Sequence, residues 1–422
     1  MSICKMYDRS RRMLPAFALT AVLLSVTGAH ADDLDTPTFL FSGFGTVGAA
    51  HSSEHQADYT NSPNTRPNGA GATRNWSADV DSRVGVQVIA NVTPQLSAVL
   101  QILSQQRYDN TYRPVVEWAN IKYAFTPDFN VRVGRIAMPT FLVGDYRNVG
   151  YAIPWVRPPV ALYSRMIPIT TSDGIDASYR LHLGEVQNTL QVSYGDDVIR
   201  TTGNAVPSTV KKIMGIFNTV EVGPTTLRAS YQTADLTIDS VNPFFNAFRQ
   251  FGPAGVALAD KYRIDNRRIS FLSLGASYDP GHWFLMGEWG KGKFSSFVGT
   301  QTAWYVSSGY RFGTWTPYAT FARSKKLSDT SDPGLNLTAL PPGFAGAAAG
   351  LNAGLNALLQ PTTGSTVSIG TRWDFKKNAA FKLQYDHMSL DPHSSGGQIN
   401  VQPGYRPGGV IRILSATVDF VF

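Results

Sequence analysis

In RVGVQVIANV (83–92) the residues Val84, Val86, Val88, Ala90 and Val92 alternate with Arg83, Gly85, Gln87, Ile89 and Asn91. A two-residue period of this kind is that of a strand with one apolar and one more polar face. The stretch that follows, QLSAVLQILSQQR (95–107), sets Leu96, Ala98, Leu100 and Ile102 against Gln95, Ser97, Gln101, Gln105 and Arg107. In WANIKYAF (118–125), Ile121, Tyr123 and Phe125 oppose Asn120 and Lys122. Further along, Ile175, Ala177, Tyr179 and Leu181 oppose Asp176, Ser178, Arg180 and His182. Val367, Ile369, Trp373 and Phe375 oppose Ser368, Gly370, Arg372 and Asp374, and Phe381, Leu383 and Tyr385 oppose Lys382, Gln384 and Asp386.

Sixteen such segments can be counted from about residue 38 to the C-terminus; those near 211–221, 282–291 and 314–323 have ambiguous facing. Their connections alternate in length. NVTPQ, TPD, HLGE, VGP, DPG, FGT and KKNA are tight, whereas about 51–76, 107–114, 138–173, 196–210, 235–267, 292–301, 324–364 and 389–409 are long. A soluble sandwich alternates too, but its loops need not alternate in length. An even strand count, strict short/long alternation and no cysteine after residue 4 predict an all-β fold, a closed transmembrane antiparallel barrel of about sixteen strands. Closure satisfies every backbone donor and acceptor, as a hydrocarbon layer demands. Rings near strand ends, among them Tyr123, Phe125, Tyr179, Tyr194, Trp283, Tyr310, Trp373 and Tyr385, suit the two interfacial girdles.

The N-terminus has its own character. Lys5, Arg9, Arg11 and Arg12 precede the apolar LPAFALTAVLLSV (14–26), and Ala29-His30-Ala31 is a small-x-small cleavage pattern. Residues 1–31 are therefore expected to be a cleaved secretory signal, with 32–422 as one barrel domain. Removing Lys5, Arg9, Arg11, Arg12 and Asp8 from 37 basic and 30 acidic residues leaves 33 against 29, so the net charge falls from +7 to +4. Cys4 leaves with the signal, which excludes disulfide, thiolate and Cys-ligated metal chemistry in the mature chain. The basic residues are dispersed, so no nucleic-acid footprint is present. After residue 31 the nearest approach to a spanning helix is GFAGAAAGLNAGLNALL (343–359); it is short, interrupted by Asn352 and Asn356, and predicted to be a helix within a loop.

The final residues ILSATVDFVF (413–422) put Leu414, Ala416, Val418, Phe420 and Phe422 on one side and resemble the C-terminal strand signal of outer-membrane barrels. DSRVGVQVIANVTPQLSAVLQ (81–101) resembles the second and third strands of Gram-negative porins. WANIKYAFTPDFNVRVGR (118–135) resembles the strands before their third loop, and SDGIDASYR (172–180) the strand after it. The resemblance covers most of the chain as pattern. As motif it rests on Ser82-Arg83-x-Gly85, Gly134-Arg135 and the terminal Phe.

That resemblance implies an outer-membrane location and a water-filled channel for small hydrophilic solutes. It also implies a homotrimer, lipid and lipopolysaccharide around the barrel, and a terminal Phe420/Phe422 strand read by the insertion machinery. It places residues from about 138 to 172 in the third loop, which folds into the barrel and narrows it. Pro139, Pro154, Pro158 and Pro159 stiffen that loop, and Phe141, Tyr146, Tyr151, Trp155 and Tyr163 supply rings to pack on the wall. Asp145, Arg147, Arg157 and Arg165 are then expected in the water path. An external loop packed over the rim is the alternative.

Arg83 and Arg135 match the basic wall residues of the family, with Asp145 in the loop that supplies the opposing acid. Alternation from Val131 and Val133 points Arg135 outward, however, which makes Arg132 its rival. By the same parity Lys122, Arg180, Arg228, Arg311 and Arg372 face inward with Arg83, Arg107 and Arg132, against Asp79, Asp81, Asp176 and Asp374. The excess of bases predicts a weak preference for anions. Charge across a narrow water path, rather than catalysis, then sets selectivity.

Enzymatic chemistry finds little support. GFGTVG (43–48) matches the dinucleotide fingerprint formally but lies in the first strand, with no βαβ unit after it. The Tyr385-Asp386-His387-Met388-Ser389 run alternates faces and makes no triad by itself, and the histidines show no metal-ligand spacing. No cofactor is expected. A barrel lipase or protease, or a non-conducting adhesive barrel, are the competing functions; stepwise conductance separates them from a channel.

Overall fold

The computed structural model describes residues 37–166, 169–203 and 206–422. The expected signal segment, 1–31, lies outside the described residues. Sixteen long strands follow one another: β1 Thr38–Ser52, β2 Arg83–Asn91, β3 Leu96–Gln105, β4 Val115–Ala124, β5 Phe129–Ala137, β6 Thr171–Leu183, β7 Val186–Ile199 and β8 Ser208–Val222. They continue as β9 Thr225–Thr237, β10 Arg267–Tyr278, β11 Trp283–Phe294, β12 Thr300–Tyr310, β13 Trp315–Lys326, β14 Gly364–Lys376, β15 Ala379–Leu390 and β16 Gly409–Val421. Each is antiparallel to its chain neighbours, and β1 pairs with both β2 and β16, so the sheet closes on itself without an edge. The short connections all fall at one end and the long ones at the other.

The apolar side of each strand faces outward. Val84, Val86, Ile121, Val133, Ile175 and Ile369 are all exposed, as lipid-facing residues of a barrel are. At the short-turn end the outward rings form a belt. Phe125 lies 4.8 Å from Tyr123 and 5.4 Å from Phe129, and Trp315 stacks on Trp373 at 5.2 Å, with Phe375 5.5 Å beyond. Towards the long-loop end Tyr194, Tyr231, Trp304 and Tyr385 face outward on β7, β9, β12 and β15.

The seam explains the glycines of GFGTVG. The Gly43 N–H donates to the Phe422 carbonyl at 2.8 Å. A Cβ on Gly43 would lie 2.3 Å from the Phe422 ring, and one on Gly45 2.3 Å from the Phe420 ring. On the inner face Gly85 leaves the same space for Phe44. These glycines are ring seats rather than a phosphate cradle. Gly45→Leu is expected to displace Phe420 and cost about 1–3 kcal/mol by overpacking. The check is the temperature at which the folded band is lost on unboiled SDS gels, and an unchanged transition would refute the seat.

Three strands whose facing is ambiguous in sequence have a simple physical reason. Ile213 and Phe217 of β8, Phe284 and Met286 of β11, and Tyr318 and Ala322 of β13 point inward and are buried. The lumen there is not wet: it is filled by residues 138–166, whose Met138, Phe141, Leu142, Trp155, Leu162 and Tyr163 join the same cluster. Both faces of these strands are therefore apolar, which erases the alternation.

The long loops carry helices α1 Asn242–Arg249, α2 Gly252–Tyr262 and α3 Pro342–Leu359, packed around Phe245, Phe248, Leu355 and Leu359. The two asparagines that interrupt α3's apolar run hold a neighbouring loop. The Asn352 amide accepts from the Leu335 N–H at 2.8 Å and donates to its carbonyl at 2.9 Å. Asn356 does the same with Asp332, both at 2.9 Å. No helix among the described residues is long and apolar enough to cross a membrane.

Candidate functional site

The lumen is shaped by the loop between β5 and β6. Its path is written in hydrogen bonds to inward side chains. The Arg228 guanidinium donates to the Phe141 carbonyl at 2.6 Å, and the Ser230 hydroxyl to the Thr140 carbonyl at 2.8 Å. The Glu288 carboxylate accepts from the Leu142 N–H at 2.7 Å, from the Tyr305 hydroxyl at 2.8 Å and from the Tyr163 hydroxyl. Trp155 donates through Nε1 to Ser307 at 2.8 Å. Buried polar groups of the loop thus find partners on the wall, as burial requires.

Two ionic clamps hold the far side. Arg157, only 3% exposed, donates to both Asp81 oxygens at 2.9 and 2.6 Å, to Asp386 at 3.2 Å and to Ser415 at 2.6 Å. Burial alone would pull this guanidinium down, but Asp81, Tyr59 and Asp386 hold it well above its ordinary value. Burial also pushes the adjacent Tyr59 phenol up to about 12, against the pull of Arg157. Lower in the lumen, Lys382 pairs with Asp419 at 2.9 Å and donates to the Gly150 and Trp155 carbonyls at 2.6 and 2.8 Å. Asp419 also accepts from the Thr46 hydroxyl at 2.5 Å. A Cβ on Gly150 would lie 2.1 Å from Asp419 Oδ1, so the loop comes this close only as glycine.

The basic wall that stays exposed is on β4 to β6. Lys122 and Arg132 are register neighbours on β4 and β5, and Arg180 lies on β6. Lys122 and Arg180 are exposed; Arg132 is partly exposed and donates from Nε to Asp176 at 3.0 Å. From the loop, Asp145 is exposed and lies 3.9 Å from Arg228. Arg147 reaches Glu117 of β4 at 3.8 Å, and Asn148 donates to the same carboxylate at 3.1 Å. Arg83 is buried, and its Nε and Nη2 have no hydrogen-bond partner.

Several expected residues stand elsewhere. Arg135 faces outward, its guanidinium on Asp173 at 2.7 and 2.6 Å, because no bulge interrupts β5 to reverse its parity. Arg157 is not in a water path, since two buried carboxylates consume it. Arg372 is tied to Asp374 at 2.7 Å and to the Tyr151 carbonyl at 2.6 Å. Arg107 lies in the loop after β3, and Arg311 pairs with Asp279 at a short turn. Arg165 lines a cavity above the Arg157 clamp.

The inward acids are more numerous than the sequence tally of Asp79, Asp81, Asp176 and Asp374. Glu117, Glu288, Asp386 and Asp419 join them, and Lys382 joins the bases. Strand parity alone places Lys382, Asp386 and Asp419 inward. Glu117 was hidden by the register shift between Gln101 and Ile102, which lets β4 turn one residue out of phase. Asp386 and His387 point to opposite faces, so that run assembles no catalytic group. Among the described residues no cluster of His, Cys, Asp or Glu is arranged to hold a metal ion.

A closed sixteen-strand antiparallel barrel with a loop folded against its inner wall is the fold of the Gram-negative outer-membrane porins. The chain is similar in fold to OmpF of Salmonella typhi, solved in complex with daunomycin, with TM-score 0.54 and 12% identity over 92% of this chain and 98% of that one. It is similar as well to the outer membrane channel DcaP of Acinetobacter baumannii, at TM-score 0.50 and 11% identity over 92% of this chain and 97% of that one. The trimer form of Vibrio cholerae OmpT matches at TM-score 0.50 and 9% identity, over 92% of this chain and all (100%) of that one. No protein-family profile and no curated protein sequence matches the chain.

Proposed function

We propose that this protein is an outer-membrane porin, a passive channel for small hydrophilic solutes and ions, exported by its N-terminal segment. The observation that carries the proposal is the loop clamped inside a closed barrel while Lys122 and Arg180 stay open to solvent on the opposite wall, beside the Asp176-paired Arg132. Barrels of this strand number are wide enough for water, and an inserted loop narrows them without sealing them by backbone demand. Most other inward bases are matched by acids, so the exposed basic wall supplies the field. That supports a weak preference for anions.

Planar bilayers test this directly. Stepwise conductance is expected, with a reversal potential under a KCl gradient on the chloride side. Lys122→Gln with Arg180→Gln is expected to move the reversal potential towards potassium by several millivolts. A wild-type protein that inserts without steps would remove the channel reading, and an unmoved potential would remove the wall assignment. A lipid or peptide hydrolase would show turnover without conductance.

A homotrimer fits the outer face. On β2 and β3 the outward residues are aliphatic or small, Val84, Val86, Val88, Ala98, Leu100 and Ile102, with no ring to anchor an interface. Such a patch suits protein contact better than a lipid–water boundary. The OmpT trimer has this fold, and cross-linking in membranes checks the number of copies. Lipid and lipopolysaccharide are then the partners of the ringed strands, and Phe420 and Phe422 the mark read at insertion.

A further inference from the structure

On the long-loop side of the Arg157 clamp lies a small, partly open cavity of about 40 Å³. Its lining is part apolar, from Pro158, Pro159, Ala161 and Met388, and part polar, from Tyr59 and Thr366. Three charged side chains line it: Arg157, Asp386 and Arg165. The first two are committed to each other at 3.2 Å, Asp386 also accepts from Gln384 at 2.7 Å, and Asp81 holds Arg157 from behind.

Arg165 differs from them. Among the described residues it has no carboxylate partner. Its Nη1 reaches only the Thr362 carbonyl at 3.3 Å, and its Nε is buried with no acceptor. The backbone at Gly397 covers one edge of the guanidinium; a Cβ there would lie 3.0 Å from Nε. Burial pulls Arg165 below its ordinary value, and the titratable groups nearest it are the phenols of Tyr59 and Tyr405. Arg132, Arg157 and Arg372, by contrast, each rest on a carboxylate. A guanidinium taken from water without a counter-charge is costly, and a ligand that brings the charge recovers that cost.

We propose that this cavity binds a small organic monoanion, one carboxylate on a compact apolar body, with Arg165 taking the carboxylate and the proline and methionine surfaces taking the body. The proposal rests on the channel reading and names the class of solute held above the narrow part of the lumen. Guanidinium and carboxylate match in shape, and the pair forms in a partly desolvated place.

Benzoate and the neutral benzyl alcohol are suitable probes. Benzoate added on the long-loop side is expected to interrupt KCl current in a concentration-dependent way, and benzyl alcohol is not. Arg165→Gln is expected to raise the half-blocking concentration roughly tenfold or more, and Arg165→Lys less so. Titration calorimetry of the folded protein in detergent reads the same binding without conduction. A wild-type protein that binds benzoate but does not conduct sinks the channel reading and keeps the site. Met388→Trp, which fills the cavity and leaves Arg165 in place, covers the case in which Arg165→Gln fails to fold, and it too is expected to lose binding. Equal affinity in Arg165→Gln and wild type, or no binding to wild type, overturns the proposal.

Discussion

Arg157→Met is expected to release the middle of the inserted loop, destabilise the protein by about 3–5 kcal/mol and raise single-channel conductance. The size of the effect comes from what is left behind. Asp81 and Asp386 are almost completely buried, and both lose the cation that compensates them. Ser415 loses its donor as well. Two uncompensated carboxylates in a dry part of the lumen cannot stay charged and unpaired, so the loop must move or water must enter. Urea unfolding and planar-bilayer recording read the two consequences. Adding Asp81→Asn and Asp386→Asn to the variant is expected to recover much of the stability, because the charges that made the loss large are gone. If the single variant unfolds and conducts like wild type, Arg157 is not a clamp.

The second large effect concerns Lys382 and Asp419, both 0% exposed. Lys382→Met leaves Asp419 with only the hydroxyls of Thr46 and, at 3.4 Å, Thr417, and strips the donor from the Gly150 and Trp155 carbonyls. A loss of about 3–5 kcal/mol and a wider channel are expected. The double variant Lys382→Met/Asp419→Leu separates the contributions. It removes both charges, so stability is expected to return towards wild type, since apolar replacements of buried pairs are often neutral. The loop carbonyls still lack their donor, so the raised conductance is expected to persist. A double variant that is no more stable than the single one would show that the ammonium's bonds to the loop, and not the ion pair, supply the stability.

These two clamps also mark where sequence reasoning stopped. Alternation around Lys382 and Asp386 puts both inward, and alternation along 413–422 puts Asp419 inward with them. Nothing in either strand says that Lys382 meets Asp419 while Asp386 meets an arginine from a distant loop. Arg157 itself looked like a residue for the water path, because a Pro-rich, aromatic loop with four charges gives no hint of which charges it will bury. Arg135 went the other way: its resemblance to a wall residue was outweighed by the parity of Val131 and Val133, and the outer-face contact with Asp173 follows that parity. In β8, β11 and β13 the pattern fails for a reason of packing. Their inner faces meet Phe141, Leu142, Leu162 and Tyr163 rather than water, so they carry apolar residues on both sides.

Strand parity is a local property: each residue's face is set by its immediate neighbours along the chain, which is why the strands, their apolar sides and the loop-length alternation can all be read without coordinates. Charge pairing is not local. Arg157 meets Asp81 across 76 residues of chain and Asp386 across 229, and only closure of the barrel and the path of the loop bring those groups within 3.2 Å or less. The tertiary structure alone determined which inward charges cancel, which remain exposed to the lumen, and that Arg165 has no carboxylate partner among the described residues.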